Sequence, residues 1–251
     1  MERRTATVHQ RDALHHAADA EIGSLYVGTS GFSYPEWRGD FYPEKTPSSR
    51  FLEEYARRLN AVEINNTFQR FPREVSVAAW VKGSPPGFKF CLKAQRSLTY
   101  SAAAFPKGAA ARDFGEQMGP LGERAGPVLL QFPPTKKRDL EVLEALLANL
   151  ARPVAAEFRD PSWLDADVAA AVARHGGAIV VTDQEEWPLA TPSGPFHYYR
   201  LRRDYSQSEL GAWSERLSEE ARNRDVYAFF RHSPEAPARA LALLASTGGR
   251  R

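Results

Sequence analysis

Short apolar runs that each end in a polar or charged residue recur along this chain, with helical stretches between them. The most constraining is Ala61-Val62-Glu63-Ile64-Asn65-Asn66-Thr67-Phe68. Read as a strand, it sends Val62 and Ile64 to one face and Glu63 and Asn65 to the other, because strand side chains alternate with period 2. A carboxylate and a carboxamide on the inner face of a central strand are expensive to bury without partners. Such a strand therefore requires polar groups arriving from its neighbours. Val154-Ala155-Ala156-Glu157-Phe158-Arg159-Asp160 ends in the same way, and Phe88-Lys89-Phe90-Cys91-Leu92-Lys93 ends in lysine. Strands that all run from apolar to charged predict a site at one end of a sheet.

Eight apolar strand-like runs can be placed in all, at 24–29, 61–65, 88–93, 128–132, 154–159, 178–183, 196–201 and 226–230, and several of them end in this way. Helical patterns fall between most of them. Ser48-Ser49 is read as the cap of a helix over 50–59, and further helices are predicted at about 73–81, 109–119, 165–175, 208–222 and 236–244. Leu140, Leu143, Leu146, Leu147 and Leu150 form a strong helical stripe. Gly176-Gly177 closes the helix before it, and Pro85-Pro86-Gly87 separates a helix from the third strand. This cadence predicts an α/β fold, a (β/α)8 TIM-type barrel, with a doubly wound sheet as the competing arrangement. After strand six, Glu185-Glu186-Trp187-Pro188 shows no long helix and predicts an irregular connection. At 251 residues the chain is read as an amino-terminal extension over 1–23 and one barrel domain over 24–251.

Composition narrows the function classes. A formal net charge of +2 gives no general argument for nucleic acid. Cys91 is the single cysteine, which excludes an internal disulfide framework and a cysteine-rich metal site. No apolar stretch approaches the ~20 residues a membrane span needs. The start, Met-Glu-Arg-Arg, lacks the apolar core of a secretory leader, so the chain is read as cytoplasmic, without a membrane partner. His9, His15 and His16 lie in the extension, and their spacing fits no strong metal-ligand motif.

Gly28-Thr29-Ser30-Gly31-Phe32-Ser33-Tyr34-Pro35-Glu36-Trp37-Arg38-Gly39-Asp40-Phe41-Tyr42-Pro43 resembles the opening of the YecE-like family, the domain of unknown function 72. So do Val62 to Phe68, Gln131-Phe132-Pro133-Pro134, Glu157-Phe158-Arg159-Asp160-Pro161-Ser162-Trp163 and Val226 to Phe230. The resemblance spans residues 24 to about 245 and implies a TIM-type barrel; it implies no particular reaction. Three places depart from the family pattern. Leu98-Thr99-Tyr100 stands where relatives usually carry isoleucine-threonine-histidine, Leu201-Arg202-Arg203 where they carry leucine-histidine-glycine, and Arg231-His232 where a pair of asparagines is common. Arginine at such positions could favour a more anionic ligand, or these changes could mark an altered activity.

In barrels of this type, binding groups sit at the carboxyl ends of the strands. Glu63, Asn65, Lys93, Gln131, Glu157, Arg159, Asp183 and Arg200 all fall there. Glu63 and Glu157 are read as a carboxylate pair dividing acid and base work, with Lys93 as the third catalytic candidate. Arg159, Arg200, Asn65, Gln131, Asp183 and, from the first loop, Trp37 and Arg38 are read as substrate-binding. The combination suits hydrolysis or isomerisation of a small anionic or phosphate-bearing molecule. No cofactor is predicted, although Glu63, Glu157 and Asp183 could offer oxygen ligands to Mg²⁺ or Mn²⁺. His197 is out of phase with Tyr198 and Arg200, so it is expected on the opposite face. Two other classes stay open. Lys136-Lys137-Arg138, Arg202-Arg203 and Arg222/Arg224, with Trp163, Trp187 and Tyr205, could serve a nucleic-acid partner. The same rim groups could instead be an ion-pair network filling a non-catalytic structural or protein-binding barrel.

The thin apolar face of residues 1–23 predicts few tertiary contacts. A chain beginning at Ser24 should unfold at nearly the same temperature as the full chain; a large drop in melting temperature would assign the extension a structural role.

Overall fold

The computed structural model describes residues 23–100, 107–184 and 190–246. The expected extension over 1–23, with its histidines, lies almost wholly outside the described residues. The strands are β1 (Leu25–Thr29), β2 (Ala61–Ile64), β3 (Lys89–Leu92), β4 (Val128–Phe132), β5 (Val154–Phe158), β6 (Ala178–Thr182), β7 (His197–Leu201) and β8 (Val226–Phe230). The helices are α1 (Phe51–Ala56), α2 (Glu74–Lys82), α3 (Arg96–Thr99), α4 (Lys107–Gln117), α5 (Leu140–Leu150), α6 (Ala166–Arg174), α7 (Gln207–Glu220) and α8 (Ala236–Ser246). The result is an alternating β/α fold of TIM-barrel-like architecture. All pairings between these strands are parallel, in the orders β1-β8-β7-β6-β5-β4 and β2-β3.

Alternation within the strands separates two cores. Between strands and helices lies a large cluster that includes Val62, Ile64, Leu130, Phe132, Leu143, Leu146 and Leu150. A smaller cluster comes from the other face of the strands: Ala61, Cys91, Leu129, Ala155, Ala178, Val180, Tyr198, Tyr227 and Phe229. Tyr26 stacks on Tyr227 at 4.8 Å and Tyr198 lies 6.1 Å from Tyr227, so aromatic rings fill this inner core below the polar strand ends. Two residues further along the same faces stand Glu63, Lys93, Gln131 and Glu157.

Side chains replace part of the ladder between β1 and β2. Asn60 Oδ1 accepts from Val27 N at 2.8 Å, and its Nδ2 donates to Leu25 O at 2.8 Å. The Tyr55 hydroxyl accepts from Thr29 N at 2.8 Å and donates to Ala61 O at 3.0 Å. A side chain at Gly28 would meet that carbonyl, since an added Cβ would sit 1.9 Å from Ala61 O. Direct backbone contact returns only at the top, where Gly31 N donates to Glu63 O at 2.8 Å and Ser30 bridges Glu63. Between β3 and β4 the contact is a Lys93–Leu129 bridge, with Ala94 N donating to Leu129 O at 2.9 Å.

The helices depart from the sequence reading in a few places. The first is shorter, because Ser48–Arg50 forms a separate 3-10 turn and neither serine caps α1. The short α3 carries no periodic apolar signal and was not predicted. Ser206 caps α7 through a reciprocal box with Glu209, and Gly176, at φ +66°, follows α6 in the left-handed conformation expected of a carboxyl-terminal cap. Among the described residues no helix joins β6 to β7; residues 185–189 of that link, including Trp187, lie outside them.

Tyr55→Phe removes the hydroxyl that serves both strands at the β1–β2 seam while keeping the ring. Leaving buried backbone groups unpaired costs about 1–3 kcal/mol each. A loss of that order in denaturant-midpoint stability is expected, and an unchanged midpoint would show that the seam does not depend on Tyr55.

Candidate functional site

Glu63 is wholly buried at the end of β2 and accepts six hydrogen bonds. Its Oε1 receives Ser30 Oγ (2.7 Å), Asn65 Nδ2 (3.1 Å), Arg200 Nη2 (3.0 Å) and Arg202 Nη2 (3.1 Å); its Oε2 receives the Tyr198 hydroxyl and Arg200 Nε, both at 3.0 Å. Arg202 Nη1 also reaches Ser30 Oγ at 2.8 Å. Glu157, buried at the end of β5, receives Gln131 Nε2 at 2.9 Å and Arg159 Nε at 2.7 Å on Oε1, and Arg200 Nη1 on Oε2. Lys93 Nζ donates to Gln131 Oε1 at 2.7 Å and lies 4.1 Å above the Phe68 ring.

One connected network therefore joins the ends of six strands. Lys93 leads through Gln131 to Glu157, and Arg200 carries the chain from Glu157 to Glu63, Arg202 and Ser30. Arg200 and Arg202 project from the inner face of β7 because they share the parity of Tyr198. His197, out of phase, faces α7 and meets Glu220 at 2.7 Å.

Among the described residues, four cations, Lys93, Arg159, Arg200 and Arg202, face two carboxylates, an excess of two positive charges. Asp183, just past the end of β6, meets the backbone of Arg202 and not its guanidinium. It accepts from the Arg202 backbone N–H at 2.6 Å and from the Tyr205 hydroxyl, and lies 3.5 Å from Arg203.

The electrostatics separate the carboxylates from the lysine. Burial raises the Glu63 carboxyl, but Arg200 and Arg202 outweigh it and hold that group well below the usual carboxylate range. Glu157 is likewise raised by burial and lowered by Arg200 and Arg159, to about 2. Both are ionised at neutral pH, and neither is set up as a general acid. Lys93 is brought down to about 8, by burial first and by Arg200 next, against the pull of Glu63 and Glu157. Burial and Glu63 together push the Tyr198 hydroxyl well up, so it stays a proton donor to the carboxylate.

Two first-loop candidates lie apart from this network. Trp37 is buried, donates Nε1–H to Ser233 O at 3.0 Å and packs with Tyr34, Phe41 and Tyr42. Arg38 donates to Thr46 O at 2.9 Å and lies over Phe51. Both brace the loop. Tyr34 reaches the edge of the network, with its hydroxyl on Ser30 O at 2.7 Å and its ring on His232 at 3.7 Å. Ser30, Tyr198 and Arg202 complete the network beyond the candidate site residues, although the sequence marks Arg202 as a departure from the family pattern and as part of a basic pair. The strand-seven pair was legible from parity, since Tyr198, Arg200 and Arg202 alternate. Ser30 carries no such signal.

The oxygens proposed for Mg²⁺ or Mn²⁺ already receive hydrogen bonds from cationic and neutral donors, and among the described residues no group of three or more histidine, cysteine or acidic side chains could hold a metal ion. The basic clusters considered for nucleic acid are largely paired. Lys137 meets Asp160, Arg138 meets Asp165 and Asp167, and Arg222 meets Glu219. Trp163 is buried against Phe132 and Phe158, and Tyr205 packs on Phe230. Among the described residues no helix is long and apolar enough to cross a membrane.

Comparison with known proteins places this geometry among relatives. The sequence profile described as "Protein of unknown function DUF72" matches residues 26–250. The chain is 32% identical to the UPF0759 protein YecE of Escherichia coli K12 over 127 residues, 50% of this chain and 44% of that one. It is 28% identical to the UPF0759 protein YunF of Bacillus subtilis over 153 residues, 55% of this chain and 52% of that one. These matches span about half the length of either relative. A crystal structure of a DUF72 family protein from Thermotoga maritima superposes with a TM-score of 0.78 at 28% identity, covering 90% of this chain and 99% of that one. One from Enterococcus faecalis gives 0.71 at 20% identity, covering 91% and 97%, a likeness of fold.

Removing the Glu63 charge leaves Arg200 with Glu157 alone and, among the described residues, takes from buried Arg202 the carboxylate its side chain pairs with. Glu63→Gln should lose about 3–5 kcal/mol of stability, the cost of breaking a buried ion pair from one side, read from denaturant unfolding at pH 7. The acid limb is a second readout. Glu157 falls from an ordinary 4.5 to about 2 on folding, so its contribution is present above 4.5 and lost as pH drops toward 2. Glu157→Gln should be less stable at neutral pH and flatter across that window; an unaltered slope would contradict the assignment.

Proposed function

Since the chain belongs to the DUF72 family, whose description assigns no activity, we propose a function from its own residues: the strand-end network binds a small anionic or phosphate-bearing molecule and carries out acid–base chemistry on it, as a hydrolase or isomerase. In this reading the sheet closes as a (β/α)8 barrel through the Ser30–Glu63 and Lys93–Leu129 bridges, and the network lines its mouth. The observation that carries the reading is the charge excess among the described residues, four cations around two carboxylates at one end of the sheet. An anion of charge one or two would complete that balance, and a neutral sugar or an apolar ligand would not.

The roles divide by burial. Glu63 and Glu157 are fixed acceptors that hold Arg200 and Arg202 rigid, and preorganised cations stabilise negative charge better than mobile ones. Arg159, with 21% of its side chain exposed against 7% for Arg200 and for Arg202, is the arginine a ligand would meet first. Its guanidinium suits paired acceptor oxygens. Proton transfer falls to Lys93, whose acidity near 8 is matched to neutral pH in a way that neither glutamate is.

Titration of the protein with phosphate and citrate tests this, with glucose as the neutral control. Arg159→Gln should weaken anion binding about tenfold or more, because a hydrogen bond to a charged group contributes about 1.5–3 kcal/mol. Equal affinity in both proteins, or no preference for anions over glucose, would favour the non-catalytic, ion-pair-filled alternative.

A further inference from the structure

Lys93 differs from the other cations of the network in what it touches. Arg159, Arg200 and Arg202 each bond a carboxylate. The Lys93 ammonium instead bonds the neutral amide oxygen of Gln131 and lies against the face of Phe68. Among the described residues no carboxylate comes within ion-pairing distance of it. The lysine is thus held by one neutral acceptor and one aromatic ring, at the strand end beside the arginines of the network.

We propose that Lys93 is a nucleophile, forming a protonated imine with an aldehyde or ketone that carries a phosphate or carboxylate group. This inference rests on the anion-binding reading and deepens it by naming the electrophile. The arginines would take the anionic group, and Lys93 would meet the carbonyl carbon. Three features fit. An ammonium tied to a carboxylate is held protonated, and Lys93 is not so tied. Burial and the neighbouring Arg200 lower it to about 8, which leaves on the order of a tenth as free amine at pH 7. The Phe68 face beneath the nitrogen would also favour the cationic product through its ring quadrupole.

The step balances without a co-reactant. After the ammonium releases one proton to water, the Nζ lone pair attacks the carbonyl carbon and the C=O π pair moves to oxygen. A second proton passes from nitrogen to that oxygen, and the released proton returns to the resulting hydroxyl, which leaves as water while the C=N bond forms. Ammonium plus carbonyl gives protonated imine plus water, so the charge is unchanged and nothing is oxidised or reduced. The imine withdraws electrons from the adjacent carbon, which suits isomerisation rather than hydrolysis.

The test uses the full chain with glyoxylate, pyruvate or glycolaldehyde phosphate, each with sodium cyanoborohydride to reduce any imine to a stable amine. Peptide mass mapping then locates the adduct. Lys93 should be labelled on the order of tenfold faster than the exposed lysines, because its lowered pKa frees far more amine at neutral pH. Inorganic phosphate should bind the unaltered protein by calorimetry and slow that labelling, and Lys93→Arg should abolish the labelling. Labelling spread evenly over surface lysines, or none at Lys93, would overturn the proposal. Phosphate binding without labelling of Lys93 would reject the imine and leave the anion site standing, whereas loss of both would reject both. If Lys93→Arg does not fold, the site of labelling in the unaltered protein decides the matter.

Discussion

Arg200 holds two buried carboxylates at once, and the polar end of the sheet is arranged around that fork. Its Nε and Nη2 take both oxygens of Glu63, and its Nη1 takes Glu157. A guanidinium is suited to this because its donors are planar, fixed in direction and always charged. A lysine in its place would supply charge without the geometry. Since Glu63 comes from β2, Glu157 from β5 and Arg200 from β7, the fork fixes three strand ends relative to one another.

Stability alone does not account for such a network. Taking several charges out of water costs more than their mutual attraction generally returns, and a well-packed apolar layer of similar volume often does as well or better. The chain already has such a layer one step lower, in Leu129, Val180, Tyr198, Tyr227 and Phe229. Continuing it upward would have been the cheaper construction. The change from apolar to ionic occurs at the end of the sheet where barrel-like folds place their ligands, with more positive than negative charge.

The seam between β1 and β2 bears on the same region. Tyr55 and Asn60 supply hydrogen bonds that a regular ladder would take from backbone, so the two strands stand apart below and touch at Ser30, Gly31 and Glu63. That contact brings Ser30 Oγ onto Glu63 and gives Arg202 a second acceptor. Tyr34 then extends the contact outward to His232 on the loop after β8. The departures from the family pattern at Arg202 and His232 thus lie in or beside the polar network, whereas Tyr100 packs edge-on against Phe68, the ring beneath Lys93.

Much of this architecture was determined by sequence alone, for local reasons. Period-two alternation in eight apolar runs set the strands and their inner faces, and the same parity put Tyr198 and Arg200 on one face and His197 on the other. The leucine stripe of α5 and the glycine after α6 were equally local signals. Tertiary structure decided what those signals do not encode. Whether Glu63 and Glu157 act as acids depends on which cations reach them, and Arg200 lies 137 residues from one and 43 from the other. The aromatic first loop could have lined the site or braced the fold, and packing of Trp37 and Arg38 against Ser233, Thr46 and Phe51 chose bracing. Ser30 gained its place from a strand seam built by side chains, which periodicity cannot anticipate. The charge of each group was written in the sequence; its proton affinity was set by neighbours that only folding brings within hydrogen-bonding distance.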